Sequence, residues 1–314
     1  MGGTKILAGI VNSSQGVVAR VKKSTEKGVS AKQYVNDLVA IIEEITASVR
    51  IKPESIAAVC IGVPGSVNPG TGLISLAPNL GIHNYNMKEK LQKFIPYPIF
   101  LENDVHMGAL GIKHFGVGKK SENMLAVFLG TGIGGGLIFN SKLYRGSNFS
   151  AGEIGHIKVM EGGPVCGCGN KGCFEALASR TAIVKKIKKE IKAKKKSILK
   201  DLVDKSKPIK SGALALAIKK GDKVVMNSVT DACNITGKVL ADINNLLNLD
   251  LIVLGGGVIE AMSGFMIPII KEAFYQNSLN ASIKGLKITY TKLKDDAALY
   301  GGIPLAEEFT GIKV

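Results

Sequence analysis

The sequence predicts an α/β protein with two domains. Three observations point there. At 314 residues the chain can build two hydrophobic cores. Short apolar, β-branched runs end in glycine turns and lead into segments with helical spacing. Apolar residues make up 46% of the chain, yet no uninterrupted run approaches the ~20 residues of a membrane-spanning helix.

The elements read as follows. Ile6–Val11 is a short strand after a Gly-Gly turn, and Gly16–Lys22 is its hairpin partner. Gln33–Val49 carries Val35, Leu38, Val39, Ile42, Ile45 and Val49 at helical spacing. Ile56–Val63 is a buried strand ending in Pro64-Gly65. Ile99–Glu102 is a strand that runs into Asn103 and Asp104, and Asp104 opens a helix. Asn123–Leu129 is a buried strand that enters GTGIGGG and leaves as Leu137–Asn140. Helical segments follow from Glu175 to about Leu202 and from Lys223 to Leu247. Asp250–Leu254 ends in Gly255-Gly256-Gly257, Leu286–Lys292 alternates as a strand, and DDAALYGGIPLAEEF closes the chain as a helix.

The net charge of +16 is concentrated rather than spread. Residues 185–200 hold nine lysines against one glutamate, half of the excess. Ile183, Ile187 and Ile191 form one apolar stripe there, so the lysines read as the solvated face of a helix and not as a nucleic-acid surface. Tryptophan is absent and aromatic residues make up only 5%, which leaves no base-stacking platform in view. The opening MGGTKILAGIVN lacks a basic start, a long apolar core and a cleavage site, so a cytoplasmic protein is expected, without membrane or nucleic-acid partners.

Two chemical signals stand out. The first is His156, Cys166, Cys168 and Cys173, spaced H-x9-C-x-C-x4-C among glycines. Thiolates and imidazole are the ligands of tetrahedral zinc, and four of them close a structural site. The second is a set of glycine turns suited to close approach by phosphate: Gly2-Gly3-Thr4-Lys5, Gly130–Gly136 with Thr131, and Gly255–Gly257. Neither a Walker A loop nor the Rossmann fingerprint is present. Cys60 and Cys233 read as packing residues, and His83, His106 and His114 carry no assigned role.

The order GGTK, LENDVHMGALG, GTGIGGGLI, AGEIGH, CGCGNKGCFEALASRTAI, IVLGGGVI, DDAALYGG resembles the ROK family of sugar kinases and repressors over essentially the whole chain. The resemblance implies a two-domain actin-like ATPase (ribonuclease H-like) fold with a cleft between domains. Residues 1–112 would form the small domain, 113–299 the large one with the zinc loop at 153–175, and helix 300–314 would pack back on the small domain. It implies ATP-dependent phosphorylation of a hexose, with magnesium, structural zinc and a homodimer. Asp104 would be the general base; read without the family, the same aspartate is a helix N-cap. Gly65, Asn79, Asn103, Asp104, Glu153, His156 and Glu175 would hold the sugar. Gly3, Thr4, Lys5, Thr131, Gly132, Gly255, Gly256 and Gly257 would hold ATP. APNLGIHNYNMKEKL resembles the glucokinase version of the sugar loop, so glucose leads over N-acetylhexosamines and fructose.

One departure is visible. The family's first motif is D-x-G-G-T-K, and here Met1 stands at the variable position. The aspartate and the first strand would precede it, and the expectation is that the full-length gene encodes a few more residues ending in Asp. With Met1 as the true start, weak kinase activity is expected. A family repressor would carry a helix-turn-helix domain ahead of the phosphate loop at which this sequence opens. The kinase is therefore preferred over a regulator, and a sugar-binding protein with weakened catalysis is the third reading.

Overall fold

A computed structural model describes residues 1–2, 5–26, 28–49 and 52–313. They form two compact units. The first comprises Met1–Lys120, Gly136–Ala151 and Asp295–Val314, and the second Ser121–Gly135 and Gly152–Lys294.

In the first unit, β1 (Lys5–Asn12) and β2 (Gly16–Ser24) form an antiparallel hairpin. Helix α1 (Ala31–Ala47) is capped by Ser30, whose side chain accepts from the Gln33 N–H, and it buries Tyr34, Val35, Leu38, Ile41 and Ile45. Strand β3 (Val59–Val63) leads to a meander that the sequence reading did not resolve: β4 (Ser66–Val67), β5 (Leu73–Ala77) and β6 (Ile82–Asn86), followed by α2 (Met87–Leu91). Strand β7 (Ile99–Asn103) pairs in parallel with β3 and passes directly into α3 (Asp104–Phe115). Ile99 and Leu101 lie fully buried in the core with Leu38, Ile61 and Val63.

The chain then enters the second unit with β8 (Met124–Leu129). Strand β9 (Ile133–Phe139) brings it back into the first, where residues 137–139 pair with β10 (Lys142–Tyr144). The second unit continues through α4 (Phe174–Ala178), α5 (Arg180–Lys192), α6 (Lys200–Asp204), α7 (Ser211–Lys219), α8 (Lys223–Leu247), β11 (Leu251–Gly255), α9 (Gly257–Asn277) and β12 (Lys287–Tyr290). Strand β11 lies parallel to both β8 and β12. Ile252, Val253 and Leu254 are fully buried, as the unbroken apolar run of a strand covered on both faces requires.

The single helix expected from Glu175 to about Leu202 is instead three pieces. Ser179 is extended and caps α5, accepting from the Ala182 N–H. After Lys192 the chain turns through Lys194 at φ +64°. The Asp222 carboxylate takes the Ser197 hydroxyl and the Ile198 N–H, at 2.7 and 2.8 Å. Stacked lysines repel at i, i+4, so a helix continued through 194–196 has little to hold it. The stripe itself forms as expected, with Ile183, Ile187 and Ile191 buried.

Helix α10 (Asp296–Thr310) returns to the first unit and crosses α3 at close range. A Cβ on Gly111 would stand 1.8 Å from the Ala297 carbonyl oxygen, and one on Gly301 1.9 Å from that of Met107. This backbone-to-backbone contact fixes α3, and with it the residue at the head of α3, Asp104. Gly301→Ala should therefore destabilise the protein by roughly 1–3 kcal/mol, read as a lowered Tm in thermal unfolding. An unchanged Tm would contradict so close a crossing.

Candidate active site and metal centre

The junction of β7 and α3 is built on three consecutive residues. Glu102 is fully buried. Its Oε1 accepts from the Asn103 N–H at 2.9 Å and faces His106 Nδ1 at 3.0 Å, and its Oε2 accepts from Arg145 Nε at 2.6 Å. Burial works against its charge, yet His106 and Arg145 hold its carboxyl below the ordinary range. Arg145 continues as a fork onto both oxygens of Glu308, each at 2.7 Å. His106 Nε2 lies 2.9 Å from the Ala151 carbonyl oxygen. The ring is thus held between the Glu102 carboxylate and the Ala151 carbonyl oxygen.

Asn103, not Asp104, is the N-cap of α3. Its Oδ1 accepts from the Val105 and His106 N–H groups at 2.8 and 3.1 Å, and its Nδ2 donates to the Gly65 carbonyl at 3.0 Å. The cap reading of Asp104 is thereby corrected: the preceding residue already does that work. Asp104 sits one position further on, half-buried, with Oδ1 accepting from the Val105 N–H at 3.0 Å. Burial pushes its carboxyl above the ordinary value, while the Met1 ammonium, the Val105 N–H and His106 pull the other way. Gly65 lies against β5, where a Cβ would come within 2.2 Å of the Leu76 carbonyl oxygen. Asn79 is exposed in the 3₁₀ turn Pro78–Leu80. Lys5 is ion-paired to Asp295, while Gly3 and Thr4 lie outside the described residues.

In the second unit the four metal-ligand candidates converge. Their ligating atoms all lie within 4.8 Å of one another. His156 Nδ1 is 3.6 Å from Cys166 Sγ, and Cys168 Sγ is 3.7 Å from Cys173 Sγ. A zinc–sulfur bond of about 2.3 Å sets a tetrahedron edge near 3.7 Å, so the donor set fits zinc in size as well as in kind. The loop closes by its own backbone, with Cys166 N–H on Asn170 O and Gly172 N–H on Pro164 O. Gly172, at φ +74°, admits no side chain, since a Cβ would meet Met160 O at 1.7 Å.

The cluster is tied to the glycine turn between β8 and β9. Helix α4 starts immediately after Cys173, and Glu175 in its first turn accepts from the Ile133 N–H through Oε2 at 2.8 Å. A Cβ at Gly132 would come within 2.2 Å of that carboxylate oxygen. The Glu175 Oε1 lies 3.9 Å from Cys166 Sγ. Arg180 Nη2 donates to Thr131 Oγ1 at 2.6 Å and the Thr181 hydroxyl to Thr131 O at 2.7 Å. Glu153 is exposed, with Oε2 3.8 Å from His156 Nε2, the nitrogen turned away from the cysteines. At the third turn Gly256 has φ +86° and heads α9, and a Cβ there would come within 2.5 Å of Leu129 O.

Five residues emerge that sequence reasoning did not assign: Glu102, His106, Arg145, Arg180 and Ser211. An arginine in the first turn of a helix opposes the helix dipole, a signal available for Arg180. A charge ending the apolar run Ile99–Leu101 was the signal for Glu102. Ser211, at the start of α7, is 8% exposed, and its hydroxyl has no hydrogen-bond partner among the described residues. Its Oγ lies 4.0 Å from where a Gly257 Cβ would stand, beside the head of α9.

The sequence matches the model of the ROK family over residues 1–308. This chain belongs to the ROK family. It is 30% identical over 303 residues to a glucokinase of Halalkalibacterium halodurans, covering 96% of this chain and 92% of that protein. It is 31% identical over 267 residues to a xylose repressor of Caldicellulosiruptor bescii, covering 84% of this chain and 66% of the repressor. Among solved structures, a ROK glucokinase of Streptomyces griseus in complex with glucose and AMPPNP matches with a TM-score of 0.84 at 28% identity, over 98% of this chain and 97% of that one. The fold is thus the actin-like α/β fold of ROK sugar kinases. Among the described residues of this ROK protein no helix is long and apolar enough to cross a membrane.

For the metal centre the expected outcome is one equivalent of zinc per chain by elemental mass spectrometry after purification without chelator. Cys166→Ser should lower that content and reduce the Tm. A metal-free preparation with undiminished Tm would contradict a structural metal.

Proposed function

We propose that this ROK protein is an ATP-dependent hexose kinase with glucose as its leading substrate, using ATP as the magnesium complex. One observation carries the reading: the half-buried Asp104 carboxyl, raised by burial and held at the head of α3 by the Asn103 cap and the Glu102 network. A sugar hydroxyl attacks phosphorus effectively only when its proton has an acceptor in reach, and a carboxylate with a raised pKa accepts better than an ordinary one. Asn103 and Asp104 would bind hydroxyls near the reacting end, with Gly65 and Asn79 completing that wall. Glu153, His156 and Glu175 would bind those near the anomeric end. Zinc, when bound, would act as a brace that holds these three side chains in one loop. Backbone N–H groups of the turns at Thr131–Gly132 and Gly255–Gly257 would receive phosphates, with the Ser211 hydroxyl supplying a donor at the head of α9. Lys5 belongs to the same nucleotide set. A cytoplasmic homodimer is the matching assembly.

A second reading, a sugar-responsive regulator without phosphoryl transfer, is favoured by the similarity to the xylose repressor. A coupled assay of ADP release separates the two, run with glucose, mannose, fructose, N-acetylglucosamine and N-acetylmannosamine. The kinase reading expects sugar-dependent ADP with glucose foremost. Sugar binding without ADP from any of the five would overturn it.

The pH dependence follows from the direction of the Asp104 shift. Its ionised form is disfavoured by the fold, so the stability it contributes is full below the ordinary value of 3.8 and declines as pH rises through the raised folded value. Activity runs the other way, because the base must be ionised. The acidic limb of kcat/KM should fall above pH 3.8, measured from pH 4 to 8. A limb at or below that value would contradict burial of the base. Ser211→Ala should raise KM for ATP about 5- to 30-fold, the cost of one lost hydrogen bond near 1–2 kcal/mol, with little change in KM for the sugar.

A further inference from the structure

The cysteine–histidine loop lies wholly in the second unit, as does the turn Thr131–Gly135 to which Glu175 ties it. Its three sulfurs are not equivalent. Cys166 is 5% and Cys173 1% exposed, while Cys168 is open to solvent. Cys168 stands at the tip of a turn closed by Cys166 N–H on Asn170 O at 2.8 Å and Gly169 N–H on Cys166 O at 3.0 Å. On either side of it, a Cβ added at Gly167 or Gly169 would meet nothing within 4 Å. The exposed sulfur has room to move. Cys173, at the head of α4 and bridged to Lys158, does not.

Cys168 Sγ faces Cys173 Sγ at 3.7 Å. A disulfide brings two sulfurs to about 2.05 Å, so a shift of ~1.7 Å at the open tip joins them. Sulfurs that ligate a metal are thiolates, the form that oxidants attack. An accessible thiolate beside a second one is the arrangement in which oxidation is caught as a disulfide before it runs on to sulfinic acid. Cys60 and Cys233 offer no such site, since burial pushes both thiols up to about 12.

We propose that Cys168 and Cys173 are a peroxide-sensitive thiol pair, an oxidation site whose closure takes the metal centre apart and loosens the glycine turn beside it. The Cys168 sulfur attacks one oxygen of hydrogen peroxide; the O–O bond breaks, hydroxide leaves, and Cys168 becomes a sulfenic acid. The Cys173 sulfur attacks the Cys168 sulfur; the S–O bond breaks, a second hydroxide leaves, and the S–S bond forms. The two sulfurs lose two electrons, peroxide gains them, and two protons from solvent turn both hydroxides into water. Of the four donors only His156 and Cys166 remain, too few to close a tetrahedral site. Glu175, two residues beyond Cys173, then loses the brace behind the carboxylate that holds the Ile133 N–H at 2.8 Å. That this turn receives phosphate rests on the kinase reading; the sulfur chemistry does not.

The test treats the whole protein, purified without chelator, with a small excess of hydrogen peroxide. Trypsin cuts after Lys171, so a bridge links the tryptic peptides 159–171 and 172–180. The linked pair is expected to appear at the rate at which a chromogenic chelator reports zinc release, and fragmentation of the pair is expected to place the bond at Cys168. Amide exchange in residues 131–135 should quicken about 10-fold, as local opening becomes easier. Dithiothreitol with added zinc should reverse all three changes. A bond placed at Cys166, or sulfinic acids without a linked pair, overturns the proposal. So does exchange that stays unchanged while the bond forms, or a linked pair that persists in Cys168→Ser. Fragmentation of the native pair decides the point even where that variant fails to fold. In a preparation that holds no zinc the linked pair alone decides, and its absence overturns the proposal. None of these readouts depends on phosphoryl transfer, so an inactive kinase leaves them intact.

Discussion

The buried carboxylate of Glu102 is the constraint on which the first unit's chemistry rests. A charge at the end of a core strand is tolerable only when fully paired, and here Arg145, His106 and the Asn103 N–H satisfy both oxygens. Removing one partner of such a pair costs about 3–5 kcal/mol, because the other charge stays buried. That penalty makes the β7–α3 junction rigid. It fixes the Asn103 cap, and the cap fixes the direction in which Asp104 leaves the backbone. Through His106 the same carboxylate also reaches the Ala151 carbonyl, just ahead of Gly152 and Glu153.

The second unit solves a parallel problem by different means. A glycine turn offers free N–H groups but has no intrinsic shape. Glu175 supplies the shape by accepting the Ile133 N–H, and Arg180 and Thr181 hold Thr131 from the start of α5. Glu175 is in turn positioned by Cys173 at the head of α4. The cysteine–histidine cluster and the glycine turn are therefore one mechanical assembly. A metal there would stiffen the turn without touching a reacting atom.

Much of this was legible in the sequence. Helices α1 and α8 and strands β8 and β11 carry strong periodicity and fold where the periodicity puts them. The four metal-ligand candidates were legible because their chemistry is local in sequence. The β4–β6 meander was not, because its strands are short and set by glycine close approaches such as Gly65 on Leu76 O. Helix α9 escaped because Gly264 and Pro268 interrupt its pattern. Asn103 and Asp104 are equally good caps in isolation, and only the end of β7 decides between them. The partners of Glu102 and Arg145 are distant in sequence, at Arg145 and Glu308, and no local pattern announces a buried ion network.

The central claim is that the β7–α3 junction presents a base to a sugar hydroxyl. Rapid-quench measurement of a single turnover with ATP and glucose, comparing the native chain with Asp104→Asn, tests it most directly. The account predicts a loss of about 10²–10⁴ in the transfer rate while glucose still binds within a few-fold of the native affinity. Transfer within twofold of native in the amide variant would contradict it.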